Sequence, residues 1–204
     1  MFKRLASDAL GLSDIGSVIK PVDYDKVDSD DYVMHEDNEK IYFLIKSKSD
    51  EYCFTNLALI HLDGLTAMSK KRTLRRLSYS SYQITNVTLE TAGTVDLDVE
   101  IKFMMGSVQY SIDIHKKYID EVKDLYKALI KISEIVVENE QIMENAKQSL
   151  ELASSTIGRV VKHEINAAEQ FKELNEAAFS WLVDTRKQYK LKDYGHVFER
   201  YINY

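Results

Sequence analysis

Cysteine is almost missing from this chain: Cys53 stands alone, so no internal disulfide can form and a reducing compartment is expected. Its neighbours Tyr52 and Phe54 are strand formers, which makes a buried, inert thiol the expected state of Cys53. Proline occurs once, at Pro21, and glycine seven times in 204 residues, so collagen-like, linker-rich and low-complexity architectures are excluded. No apolar run approaches the roughly 20 residues that span a bilayer, and the start, Met1-Phe-Lys-Arg-Leu, lacks the apolar core of a secretory signal. The cytoplasm is the expected location. An excess of positive charge is lacking too. The net charge of -6, with both signs mixed throughout, argues against a general nucleic-acid binder, which needs a concentrated basic face.

What is present is pattern. In Val95-Asp-Leu97-Asp-Val99-Glu-Ile101-Lys-Phe103 apolar and charged residues alternate strictly, the period of a strand with one dry and one wet face. Val108, Tyr110, Ile112 and Ile114 resume the alternation after Met104-Met105-Gly106-Ser107, where Gly106 supplies the positive backbone dihedral of a tight turn. Directly afterwards Ile119, Val122, Tyr126 and Leu129 fall on a helical stripe, so a half-buried hairpin is followed by an amphipathic helix able to cover it.

Upstream, residues 2 to 12 are expected to form a short helix with Phe2, Leu5, Ala6, Ala9 and Leu10 on one side. The stretch from Pro21 to Glu39 is acidic, with Asp23, Asp25, Asp28, Asp30, Asp31, Glu36, Asp37 and Glu39, yet it holds no glycine, and an EF-hand loop requires one at its sixth position. A solvated acidic loop, with room for a short helix within it, is expected there. Strand signals then run through Lys40 to Lys46, Glu51 to Phe54, Leu57 to Leu62, Arg72 to Tyr79 and Gln83 to Thr91, with turns at Ser47-Lys-Ser-Asp50, Asp63-Gly64, Ser80-Ser81 and Ala92-Gly93. Together with the hairpin this makes about seven short antiparallel strands, whose natural packing is a strongly bent sheet or partly open barrel with the following helix at one end.

Beyond Ile114 the composition turns to Ala, Leu, Glu and Lys, without proline. Helices are expected over 118 to 153 and 159 to 190, broken at Gly158, with a short last helix near 194 to 202. Their apolar stripes include Ile142, Leu150, Ile165, Phe171, Phe179 and Trp181. A two-helix hairpin has too little interior to bury both stripes, so these residues are candidates for an oligomer interface. The aromatic end of the chain, including Tyr194 and Phe198, supplies either interface anchors or local core.

Catalytic signatures are absent. The histidines at 35, 61, 115, 163 and 196 have no metal-ligand spacing, and there is neither a P-loop nor a Gly-x-Ser-x-Gly elbow. Asp96, Asp98 and Glu100 read as the wet face of the hairpin rather than as an acid-base pair. No catalytic residue, cofactor or metal site is assigned. The basic group Lys70, Lys71, Arg72 and Arg76 is the candidate contact for an anion or an anionic lipid; on a strand Arg72 and Arg76 share a face and Arg75 takes the other.

Phe54-Thr-Asn56 leading to Ala58-Leu-Ile60, Lys70-Lys71 to Ser78-Tyr79, and above all Glu90-Thr-Ala-Gly93 with Asp96-Leu-Asp98-Val-Glu100 resemble the bacterial pleckstrin-homology-like family of proteins. The remainder resembles the YvbH-like oligomerisation region that follows the domain in some members. The resemblance implies an α+β chain: a pleckstrin-homology-like domain over 1–137 and a helical oligomerisation extension over 138–204. It implies self-assembly and no established enzymatic activity. The expected function is a non-catalytic homo-oligomeric scaffold presenting its sheet domain to a protein partner. The alternative is a membrane-surface module using Lys70 to Arg76.

Overall fold

The computed structural model describes residues 14–64, 72–91, 97–160 and 167–203. The expected helix at 2 to 12, together with Lys70, Lys71, Asp96 and Ile165, lies outside them. The chain divides into two compact units, one formed by Met1–Ser133 with Lys192–Tyr204 and the other by Glu134–Leu191.

The first unit holds two antiparallel sheets that do not close into a barrel. β1 (Ser17–Val18), β2 (Ile41–Lys46), β3 (Asp50–Thr55), β4 (Ala58–Gly64) and β5 (Arg72–Ser78) form a five-stranded sheet in sequence order. β6 (Ile84–Glu90), β7 (Asp98–Met105) and β8 (Val108–His115) form a three-stranded one. Gly16 joins them, donating its N–H to Asp113 and accepting from His115 N. The hairpin of β7 and β8 turns over two residues, Met105 pairing with Val108, and Gly106 has the expected positive φ of 60°.

Alternation holds where one face of a strand is wet. On β7, Val99, Ile101, Phe103 and Met105 are buried and the residues between them are half-exposed. On β2 and β4 it fails: Phe43, Leu44 and Ile45 are all buried, as are Ala58 to Leu62. Both faces of the first sheet are covered there. One face meets the second sheet through an aromatic chain, Phe43 to Phe54, Phe54 to Phe103 and Phe103 to Tyr110, with ring centroids 6.3, 6.2 and 5.0 Å apart. The other carries Leu44, Cys53, Ile60 and Leu62, which cluster with Val27 and Val33. Those two valines belong to the acidic stretch, which winds through three short 3₁₀ turns. It is therefore a lid on the core rather than the solvated loop expected from its charges, and its acids other than Glu39 point outward while Val27 and Val33 point in.

α1 (Ile119–Val160) follows β8 after one 3₁₀ turn. Val122, Leu125, Ala128, Leu129 and Ile132 are fully buried at i, i+3, i+4 and i+7 spacing, and Ser133 Oγ donates to the Ile84 carbonyl of β6. Leu125 and Ile132 thus carry the stripe expected of Tyr126, which is only half-buried. The second unit takes in the rest of α1 and then α2 (Ala167–Tyr189). α1 runs through Gly158 without a break, because one glycine costs a helix interior only about 1 kcal/mol, too little to end a long helix.

The chain then returns to the first unit through α3 (Gly195–Tyr201), with Tyr194, Val197 and Phe198 buried there. Contacts divide the chain after Ser133 and after Leu191, whereas the sequence suggested a single division at 137. Within the expected extension over 138–204, the segment from Lys192 groups with the strand domain, where Phe198 stacks on Tyr42 of β2 and Tyr194 lies edge-on to Tyr79.

Candidate interaction surfaces

Three places on the molecule gather side chains that could act on something else. The first is β5. Register sets Arg76 opposite Ile60, Arg75 opposite His61 and Arg72 opposite Gly64, so Arg72 and Arg76 share one face. Each described arginine of this strand already faces a carboxylate. Arg72 pairs with Asp28, Arg75 lies 3.3 Å from Asp63, and Arg76 lies 2.9 Å from Glu39. Glu39 is 1% exposed and holds three elements together: it accepts from Met34 N at 2.8 Å and from Thr55 Oγ1, and pairs with Arg76. A bound anion would have to displace these carboxylates, so the arginines read from sequence as a free basic patch serve first as internal partners of the acidic stretch.

The second is the end of the sheet where β3 and β4 meet β8. His61 is buried, its ring stacked on Tyr52 at 4.4 Å and edge-on to Tyr110 at 5.5 Å, and its Nε2 lies 3.0 Å from Asp50 Oδ1. Burial alone would raise the Asp50 pKa; hydrogen bonds from His61 and Ser49, with the charges of His61 and Arg75, outweigh it and hold the carboxyl below its ordinary value. Ser49 Oγ also donates to Asp14. No nucleophile is activated in this arrangement. Ser49 is committed to carboxylates, and burial pushes both neighbouring phenols, Tyr52 and Tyr110, upward and keeps them protonated. Cys53 is likewise buried with its thiol pushed up, as an inert core residue should be. Among the described residues no group of three or more His, Cys, Asp or Glu is placed to hold a metal ion, and no described helix is long and apolar enough to cross a membrane. On the hairpin, Glu100 pairs with Lys102 at 3.0 Å and accepts from Ser111 Oγ, which makes it part of a salt-bridged outer face.

The third is α2. Phe171, Leu174, Ala178, Trp181 and Leu182 fall within about 100° of arc at 3.6 residues per turn. Phe171 is 71% exposed, Trp181 44%, and Phe179 beside the stripe 67%. On α1, Ile142 and Leu150 are half-buried and Leu152 is 69% exposed. Large apolar side chains left in water at this spacing make a helix face without a cover among the described residues.

Sequence reasoning passed over Asn56. Its side-chain oxygen accepts from Lys40 N at 2.8 Å and its Nδ2 donates to Asp193 Oδ2 at 2.7 Å, while its backbone carbonyl accepts from Tyr194 N at 2.8 Å. The only signal for it was its place in Phe54-Thr-Asn56.

The family model of the bacterial PH domain matches residues 9–133, ending where contacts divide the chain, and that of the YvbH-like oligomerisation region matches 144–204. Similar along its whole length is the "Uncharacterized protein YvbH" of Bacillus subtilis (strain 168), 60% identical over 203 residues, with 100% of each chain covered. Among solved structures, a PH-domain-containing bacterial protein from Exiguobacterium sibiricum 255-15 is 52% identical and superposes with a TM-score of 0.86, covering 93% of this chain and 100% of the other.

Proposed function

The chain belongs to the bacterial PH domain family and carries the YvbH-like oligomerisation region, and from that premise we propose that it is a non-catalytic scaffold that self-assembles through α2. The observation that carries this reading is the stripe of Phe171, Leu174, Trp181 and Leu182, part of it largely in water, inside the segment matched as an oligomerisation region. Burying a side chain of this size is worth about 1.5–3 kcal/mol, so several of them on each of two copies supply enough to offset the cost of association. The distal part of α1, with Ile142, Leu150 and Leu152, adds further apolar surface to the same unit. With its copies joined, the protein displays several sheet domains at once, the arrangement by which a scaffold raises avidity for a protein partner.

Light scattering on a sizing column tests it. The full chain is expected to be larger than 23.6 kDa, and Phe171→Asp with Trp181→Asp is expected to reduce it to a monomer with an unchanged far-ultraviolet spectrum. A monomeric wild type at tens of micromolar would sink the reading. The membrane-surface alternative draws support only from Lys70 and Lys71, since Arg72 and Arg76 have carboxylate partners. It requires salt-sensitive binding to phosphatidylserine vesicles.

A further inference from the structure

The segment from Lys192 to Ile202 is held by the strand domain as a ligand is held. Its determinants are local and side-chain specific. Asp193 offers one carboxylate oxygen to Asn56 Nδ2 at 2.7 Å and the other to Gly195 N at 2.7 Å. Tyr194 is buried edge-on to Tyr79 at 5.7 Å, and Phe198 is buried in a stack on Tyr42 at 5.4 Å. Tyr42 OH donates to Glu199 at 2.8 Å. Gly195 lets the segment come close: a Cβ there would meet Tyr42 OH at 2.8 Å, so a larger residue would make the tyrosine shift. The receiving groups all lie between Asn38 and Tyr79, and the whole unit 134–191 separates them from the segment.

The oligomerisation region matched in this chain does not stop at the end of α2; it continues through 204 and so includes this docked segment. On that ground, and resting on the self-assembly proposed above, we propose that in the assembled protein the segment Lys192–Ile202 of one copy occupies the Asn56–Tyr42–Tyr79 site of a second copy. Exchange costs little because every contact made within one chain is made again between two, and association through α2 raises the local concentration of the partner's segment. The second copy then contributes residues to the site, and assembly through the helices and closure of the sheet domain become one event.

A charge exchange across Asn56 and Asp193 tests it in full-length chains. Asn56→Asp sets a carboxylate against Asp193 while keeping the oxygen that accepts from Lys40 N. Asp193→Asn removes the charge from the segment. Alone, Asn56→Asp is expected to lower the melting temperature by several degrees; Asn56→Asp with Asp193→Asn in one chain is expected to restore it, which establishes that the pair is coupled and the fold intact. Mixed after unfolding and refolding, the two single variants can satisfy both sites only by exchange. Native mass spectrometry should then find the ratio of hetero- to homo-oligomers raised about fivefold over its statistical value, the worth of one net hydrogen bond, and the mixture should melt like wild type. A statistical or smaller share, with the mixture melting as its separate components while the wild type is oligomeric, would overturn the exchange and leave the helical assembly standing. A monomeric wild type would overturn both.

Discussion

Glu39 lies among seven other acids between Asp23 and Glu39, and nothing in that composition distinguishes it from its neighbours. Its difference comes from tertiary structure: it sits next to β2, where Thr55, Met34 N and Arg76 converge on its carboxylate. Glu39→Ala would leave Arg76 half-buried without its partner and Met34 N and Thr55 Oγ1 without their acceptor. We expect about 3 kcal/mol of lost stability, measured by urea unfolding. Arg76→Leu combined with Glu39→Leu should lose less than the two single changes summed. Tyr42 makes the second residue-scale case. Burial first, then the hydrogen bond to Glu199 and the charges of Glu199 and Asp193, push its phenol up to about 12. A raised pKa favours the protonated folded state, so this contribution is intact below the unfolded value of about 10 and is lost as pH rises from there to about 12. The difference in phenolate absorbance between wild type and Tyr42→Phe should therefore have its midpoint near 12 rather than 10. A midpoint near 10 would mean that Tyr42 does not hold the C-terminal segment. Gly195→Ala reads the same contact by sterics: it should destabilise the wild type by about 1–2 kcal/mol and the Tyr42→Phe chain by less, since the clashing oxygen is then gone.

At the scale of elements the strands were legible and their irregularities were not. Alternation and turn residues placed β2 to β8 to within a few residues, because both signals are local. The bulge in β6 has no such signal. The pairing slips by one residue between Thr85 and Thr88, and Asn86 takes a φ of 54° to absorb it. Asparagine tolerates that region and a β-branched residue does not, so Asn86→Val should cost about 1–2 kcal/mol while Asn86→Gly is close to neutral, as chemical unfolding of the two variants would read out. The acidic stretch and α1 were misread for related reasons. Its charges announce water, yet Val27 and Val33 close the far face of the first sheet; Gly158 announces a break, yet α1 continues to Val160. In the first, the apolar residues between the acids outvote the charge; in the second, one glycine costs too little to end a long helix. The basic cluster shows a different limit of sequence. Arg72, Arg75 and Arg76 were placed on the correct faces, but their partners come from segments 37 to 44 residues upstream or from the neighbouring strand, and register alone brings those together.

For the molecule as a whole, the presence of a strand domain and a helical region could be read from the change of period near Ile114, but the return of the chain to its first unit could not. Tyr194, Val197 and Phe198 have helical spacing, which says that one face of α3 is buried and nothing about where. That return changes what a deletion means. A chain ending near residue 137 removes the proposed assembly helices and also strips Phe198 from Tyr42 and Tyr194 from Tyr79, so its mass and its stability fall together and neither reports on the other. Substitutions separate them. Phe171 and Trp181 are exposed, so changing both to Asp should leave the unfolding free energy of the monomer unaltered within about 0.5 kcal/mol. Phe198→Ala, at a fully buried position, should cost about 3–4 kcal/mol. Assembly adds a dependence that neither effect contains. Binding that occurs only in the folded state stabilises it by mass action, so the wild-type melting temperature should climb as protein concentration is raised a hundredfold, and that of the Phe171→Asp, Trp181→Asp chain should stay flat. A flat wild type would mean that α2 finds its cover within its own chain. A rising slope that survives both substitutions would move the interface away from α2, to the distal face of α1 around Leu152.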